Sequence, residues 1–212
     1  MANELVWMPQ YWPIPPLGQV YSYRYVTVDG SMPDLQADFV FDPATSSTLY
    51  IDFDADGKYK DTWYLQYKEG FGWAEWRDDY PGKKIVFSEP IGWGNVEMIG
   101  HTYKNYPKSD MFKSWPPQIM SGDQTVFFEE LLPSFTLSNG DKYDDVLVIV
   151  YQQSWGKGSQ QAGARYWLAK GYGPVAQQWI APNKDTGEII ITARMDGKLT
   201  IKNGYATDYK TT

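Results

Sequence analysis

Two apolar runs, Val146–Tyr151 and Ala164–Ala169, flank a Gly/Ser/Gln-rich connection inside the stretch Asp141–Val175. Val146–Tyr151 is the longest unbroken apolar run in the chain and is rich in β-branched residues. Short apolar runs of this kind suit strands covered on both faces, and the pair reads as a long antiparallel hairpin in the middle of a sheet. The remaining segments have to be arranged around it. The connection Gln152–Gly163 is too long for a tight turn and carries Trp155 among flexible polar residues. Binding residues tend to sit on loops held by a rigid sheet, so any function of this stretch is expected in that loop and not in the strands.

The other segments also read as strands. Val20–Val28 alternates strictly, with Tyr21, Tyr23 and Tyr25 on one face and Val20, Ser22, Arg24, Val26 and Val28 on the other. A strand near Ala37–Phe41 follows, closed by Asp42-Pro43. Leu49–Phe53 and Lys58–Tyr67 flank Asp54-Ala55-Asp56-Gly57, and Asp196-Gly197 separates two later runs; both are hairpin signals. The 10 Trp, 17 Tyr and 9 Phe favour strands, while 19 Gly and 14 Pro punctuate turns. Val126–Leu132 is ambiguous by pattern, and one short helix is placed at Phe127–Leu132, ending before Pro133. The expected fold is all-β: a mostly antiparallel β-sandwich or open curved β-barrel with at most one short helix. Residues 1–19 read as an extended Pro/aromatic-rich arm, and residues 20–212 as a single β domain. Pro9, Pro13, Pro15 and Pro16 keep the arm extended, and Trp7, Tyr11, Trp12 and Ile14 give it side chains to bury. Packing across its own domain is the plainer expectation for the arm; docking on a neighbouring subunit is the alternative.

Composition removes several classes of function. With no cysteine, neither disulfides nor thiolate metal sites are available. His101 is the only histidine, too few for an ordinary transition-metal site, and no G-x-S-x-G elbow accompanies it. It reads as a surface or hydrogen-bonded residue. The net charge of -7, without a basic patch, argues against nucleic acid, because phosphate neutralisation dominates that affinity. No run approaches the roughly 20 apolar residues of a membrane-spanning helix. The amino terminus lacks the basic and apolar regions of a signal peptide. Gly171–Ala176 matches G-x-G-x-x-A, but Pro174 and the absence of helical periodicity make it a turn between strands.

Two groups of residues retain chemical interest. Asp52, Asp54 and Asp56, followed by Gly57, begin like a calcium loop, and Asp61 adds a fourth carboxylate, although Trp63 occupies the position where bidentate Glu belongs. A two-residue turn at Asp56-Gly57 instead puts Asp54 opposite Tyr59, Asp52 opposite Asp61 and Tyr50 opposite Trp63. Asp52 and Asp54, two apart on a strand, are also the carboxylates best spaced for glycoside hydrolysis, which needs separations of about 5–5.5 Å or 6.5–9.5 Å. A solvated hairpin, a calcium site and a sugar or catalytic site all stay open for this cluster. The second group is aromatic. Trp73, Glu75 and Trp76 lie in a glycine-flanked strand with Trp73 and Glu75 on one face and Trp76 on the other. Trp93 stands between two glycines, and Trp155 in the central connection. Flat rings with polar groups at their edges suit the apolar faces of sugars, and burial in the sheet is the alternative for each ring.

Tyr143-Asp144-Asp145-Val146-Leu147 and Tyr166-Trp167-Leu168-Ala169-Lys170-Gly171-Tyr172-Gly173-Pro174-Val175 resemble a pattern of β-rich bacterial secreted proteins and lipoproteins of uncharacterised function. In that pattern a Y-x-D-V-L strand precedes one reading Y-Y-A-K-G-x-G-x-V. This chain departs from it at Pro174 and has no lipidation cysteine. The resemblance covers residues 143–175 and implies a curved antiparallel sheet and a secreted or cell-envelope location. It carries over no catalytic residue. The functional expectation is a non-catalytic binding or interaction protein with carbohydrate as its ligand. The alternatives are a carboxylate-dependent glycan-cleaving enzyme, or an assembly subunit that forms oligomers through residues 1–19.

Overall fold

The computed structural model describes residues 4–12, 14–53, 59–66, 71–78, 83–93, 96–105, 124–154, 161–182, 186 and 189–209; between 59 and 93 it describes strands and their pairing. In chain order the strands are β1 (Leu5–Trp7), β2 (Gln19–Thr27), β3 (Leu35–Asp42), β4 (Ser47–Phe53), β5 (Tyr59–Gln66), β6 (Phe71–Asp78), β7 (Lys83–Trp93) and β8 (Val96–Met98). They continue with β9 (Thr102–Asn105), β10 (Gln124–Thr136), β11 (Lys142–Ser154), β12 (Gln161–Ala169), β13 (Gly173–Pro182), β14 (Ile189–Ile191) and β15 (Met195–Asn203). Among the described residues the helical turns are short 3-10 segments at Met8–Gln10 and Ala206–Tyr209. The protein is all-β.

One antiparallel sheet runs β7-β6-β5-β4-β3-β2-β15-β13-β12-β11-β10-β9, with β14 beside β13 and β1 paired to β8 as a separate ribbon. It curls into an open half-barrel, which decides between the two expected forms. The central hairpin is β11–β12, paired from Val146↔Ala169 to Ser154↔Gln161 and flanked by β10 and β13. The curl can be read from a single side chain. Trp12 meets Phe39 of β3 at 6.0 Å and Tyr166 of β12 at 6.2 Å, edge to face in both cases. In a flat sheet β3 and β12, four strand spacings apart, would be separated by about 19 Å.

The arm therefore fills the inside of the curl. Val6, Met8, Tyr11 and Trp12 are buried in one cluster with Tyr23, Tyr25, Phe39, Phe128, Leu147, Ile149 and Leu168. Gln10 also accepts the Gly171 N–H at 2.6 Å. Of the side chains expected to bury the arm, Tyr11 and Trp12 find a ready-made aromatic lining there, while Trp7 and Ile14 stay exposed. On the other side of the sheet, Val20, Val40, Leu49 and Ile51 form a smaller cluster under Ala206. Asp38, buried beside it, accepts hydrogen bonds from Lys202 Nζ at 2.8 Å and the Tyr209 hydroxyl at 2.7 Å, which fastens the 206–209 turn to the sheet.

Where the sequence allows one short helix, at Phe127–Leu132, the structure continues β10. A bulge between Phe128 and Glu130 shifts its register against β11. Phe128 bonds with Gly100 and His101 on the β9 side. After the bulge the alternation changes parity, so Pro133 turns its missing donor towards the sheet edge. Proline is tolerated within a strand in that position.

Candidate functional site

An open groove of about 640 Å³ lies where the start of β11, the β12–β13 turn and β15 meet. Its walls are Asp141, Lys142, Tyr143, Asp144 and Asp145 on one side and Lys170 and Tyr172 on the other, with Leu199 and Ile201 contributed by β15. The volume falls within the range of small-molecule sites.

The turn that carries Tyr172 follows from its sequence. Gly171 and Gly173 take φ of +80° and +92°, conformations that cost glycine little, and the Tyr172 N–H closes the turn on the Ala169 carbonyl at 3.0 Å. The G-x-G-x-x-A run is thus a turn between strands. Tyr23, inside the curl, donates its hydroxyl to the Tyr172 carbonyl, while Gln10 of the arm holds the Gly171 N–H. Sheet and arm fix the turn together. Tyr172 remains 43% exposed and meets Tyr143 edge to face at 5.5 Å. Behind them the rings continue inward through Tyr23, which stacks on Tyr25 at 5.8 Å and abuts Phe39 at 5.7 Å.

The polar rim is mixed in sign. Lys170 Nζ lies 3.5 Å from Asp145 Oδ2, and Lys142 Nζ lies 4.0 Å from Asp144 Oδ1. Both pairs are largely exposed, where such contacts add little stability. Burial raises the phenol of Tyr143 above its ordinary value, with further contributions from Asp141 and Tyr172, so the phenol stays a neutral donor. The groove combines aromatic edges and faces, two ammonium donors and three carboxylate acceptors.

The described residues singled out from sequence do not line the groove. Asp52 stands opposite Asp61, and Tyr50 opposite Trp63, as the hairpin reading requires. The third pair of that reading is not formed: a bulge after Asp52 puts Phe53, not Asp54, opposite Tyr59, and Asp61 in turn pairs with Asp78. Asp52 is half-buried among phenols: Tyr50 is held well above its ordinary value by burial and then by Asp52, to which it hydrogen-bonds. Tyr25 and Tyr166 are raised by burial and, less, by the same carboxylate. Asp54 and Asp56 lie outside the described residues, as does Trp155.

On β6, Trp73 pairs with Leu65, Glu75 with Tyr64 and Trp76 with Trp63. Bulges interrupt both neighbouring registers here, between Tyr64 and Leu65 on the β5 side and between Trp73 and Glu75 on the β7 side. Trp93 closes β7 opposite Phe71. His101 is exposed, with Nδ1 3.4 Å from Glu97 Oε2. No group of three or more acids or histidines gathers for a metal ion among the described residues. Most of the groove lies within Asp141–Val175, with Leu199 and Ile201 added by β15. It lies at the opposite end of the hairpin from residues 152–163, where β11 continues to Ser154 and β12 begins at Gln161 in place of the long loop expected. Its local signal was a tyrosine between two glycines, Tyr172, of the same form as Trp93.

Compared with family models, curated proteins and solved structures, the chain matches none.

Proposed function

We propose that the protein is a non-catalytic binding protein that takes a carbohydrate in the Tyr143–Tyr172 groove. The observation that carries this reading is the pairing of a half-exposed tyrosine wall with a rim that offers both donors and acceptors. A sugar presents an apolar C–H face suited to an aromatic ring and a perimeter of hydroxyls that donate to carboxylates and accept from ammonium groups. The contacts of Asp144 and Asp145 with lysines favour a polar rim over an acid/base dyad. The resemblance to bacterial secreted proteins and lipoproteins covers residues 143–175, which include Tyr143 and Tyr172 but not Leu199 and Ile201 of the groove.

A glycan array followed by calorimetric titration tests this. At least one glycan binds the wild-type chain, and Tyr172→Ala weakens it by about tenfold or more, equivalent to about 1.4 kcal/mol. Silence across the array, or binding untouched by both Tyr172→Ala and Tyr143→Ala, overturns the reading.

A further inference from the structure

Asp145 has φ of +50°, a left-handed conformation that non-glycine residues seldom adopt. Ser46 is the other such residue among those described, with φ of 53°, but it sits in the turn between β3 and β4, where the conformation is common. Asp145 lies inside a strand. Its neighbours Asp144 and Val146 pair with Ser134 and Leu132 in unbroken register, and Pro133 stands opposite it. Nothing in that pairing calls for a left-handed residue.

The contacts of Asp145 do. Its carbonyl accepts the Lys170 N–H at 3.1 Å, and its carboxylate meets the ammonium group of the same lysine at 3.5 Å. One residue thus holds Lys170 by both backbone and side chain, at the base of the turn that presents Tyr172. It also marks the point where the regular run Val146–Ser154 gives way to Lys142–Asp144 on the groove wall. Unusual backbone conformations persist where surrounding contacts over-determine them, and they cluster at ligand-binding sites.

We propose that Asp145 is a positioning residue: its left-handed backbone and its carboxylate together anchor the Lys170–Tyr172 turn and so set the aromatic wall of the groove, at the expense of stability. The consequence for ligand binding rests on the carbohydrate reading above; the anchoring itself does not.

The test compares Asp145→Gly with Ser46→Gly in the full chain. Each substitution relieves one left-handed non-glycine residue, so each raises Tm. Asp145→Gly also speeds amide exchange at Lys170 and Tyr172 by about fivefold or more and weakens the glycan found on the array by a similar factor, equivalent to about 1 kcal/mol. Ser46→Gly changes neither exchange nor affinity. A purely structural role would move Tm and affinity in the same direction. A lower or unchanged Tm for Asp145→Gly, or unchanged exchange at Lys170 and Tyr172, overturns the proposal. If the wild-type chain binds no glycan, the carbohydrate reading falls while Tm and exchange still decide the role of Asp145.

Discussion

The ring of Tyr25 lies directly over Gly197, its cross-strand partner. A methyl group at Gly197 would come within 2.8 Å of Tyr25 Cε1 and 3.0 Å of the Val175 carbonyl oxygen. The close approach lets the Tyr25 hydroxyl cross β15 and donate to the Pro174 carbonyl of β13 at 2.6 Å. Gly197→Ala is expected to displace the ring and lower stability by about 1–3 kcal/mol. Tyr25→Phe, which keeps the ring and loses the donor to a buried carbonyl, is expected to cost a similar amount, about 1–3 kcal/mol. Urea denaturation of the two variants and of the double mutant checks both; non-additive costs in the double mutant are the signature of the shared contact.

Gly163 presents a harder limit. A Cβ built there would stand 1.9 Å from the Tyr151 carbonyl oxygen, which is backbone and cannot rotate aside. Gly163→Ala must therefore shift the end of the β11–β12 ladder, where Gly163 pairs with Gln152. It is expected to be more destabilising than Gly197→Ala, whose main obstacle is a side chain. The order of the two denaturation midpoints tests this, and a milder Gly163→Ala contradicts the register.

These glycines show where reading the sequence stops. The face carrying Tyr21, Tyr23 and Tyr25 was legible because strand periodicity is local, and the Asp52–Asp61 pairing because two strands joined by a short connection pair antiparallel; the bulge that puts Phe53, not Asp54, opposite Tyr59 was not. Both depend on residues close in the chain. Val126–Leu132 was not legible, since a short apolar run satisfies helix and strand alike and pairing with β11 decides it. Nor was the bulge between Trp73 and Glu75, which interrupts the alternation that sequence patterning assumes. The groove was least accessible of all. Tyr143 and Tyr172 are both in the stretch that organises the fold, but the hydroxyl that holds the Tyr172 turn comes from Tyr23, 149 residues away. The curl of the sheet creates that contact.

The buried phenols make the fold sensitive to alkali. Burial holds Tyr23 and Tyr25 well above the ordinary tyrosine value; it also raises Tyr151 and Tyr166, and Tyr50 is raised by burial and then Asp52. These folded-state values exceed those of the unfolded chain. Below the unfolded value, about 10, both states keep the phenols neutral and their contribution to stability is complete. As pH rises past it, the unfolded chain ionises first, and the contribution is lost progressively up to the folded values. Tm is expected to fall steeply above about pH 10, with a late rise in phenolate absorbance coincident with unfolding. Phenolate absorbance that reaches its full extent while the fold persists would contradict the burial of these rings.

Two tryptophans of the arm give the sharpest contrast. Trp12 is 4% exposed and touches Phe39 and Tyr166 on opposite sides of the curl, whereas Trp7 is 46% exposed on the β1–β8 ribbon. Truncating the buried ring removes its transfer free energy and leaves a cavity between two walls of the sheet, so Trp12→Ala is expected to cost about 3–5 kcal/mol. Trp7→Ala removes a half-solvated ring and leaves no enclosed space, for an expected loss below about 1 kcal/mol. Denaturation followed by circular dichroism, which does not depend on the deleted fluorophore, measures both. Equal costs would mean that the arm is held by its ribbon and not by the ring inside the curl. The predicted inequality identifies the arm as part of the core of this domain, because an open half-barrel with so aromatic a lining needs something to cover it.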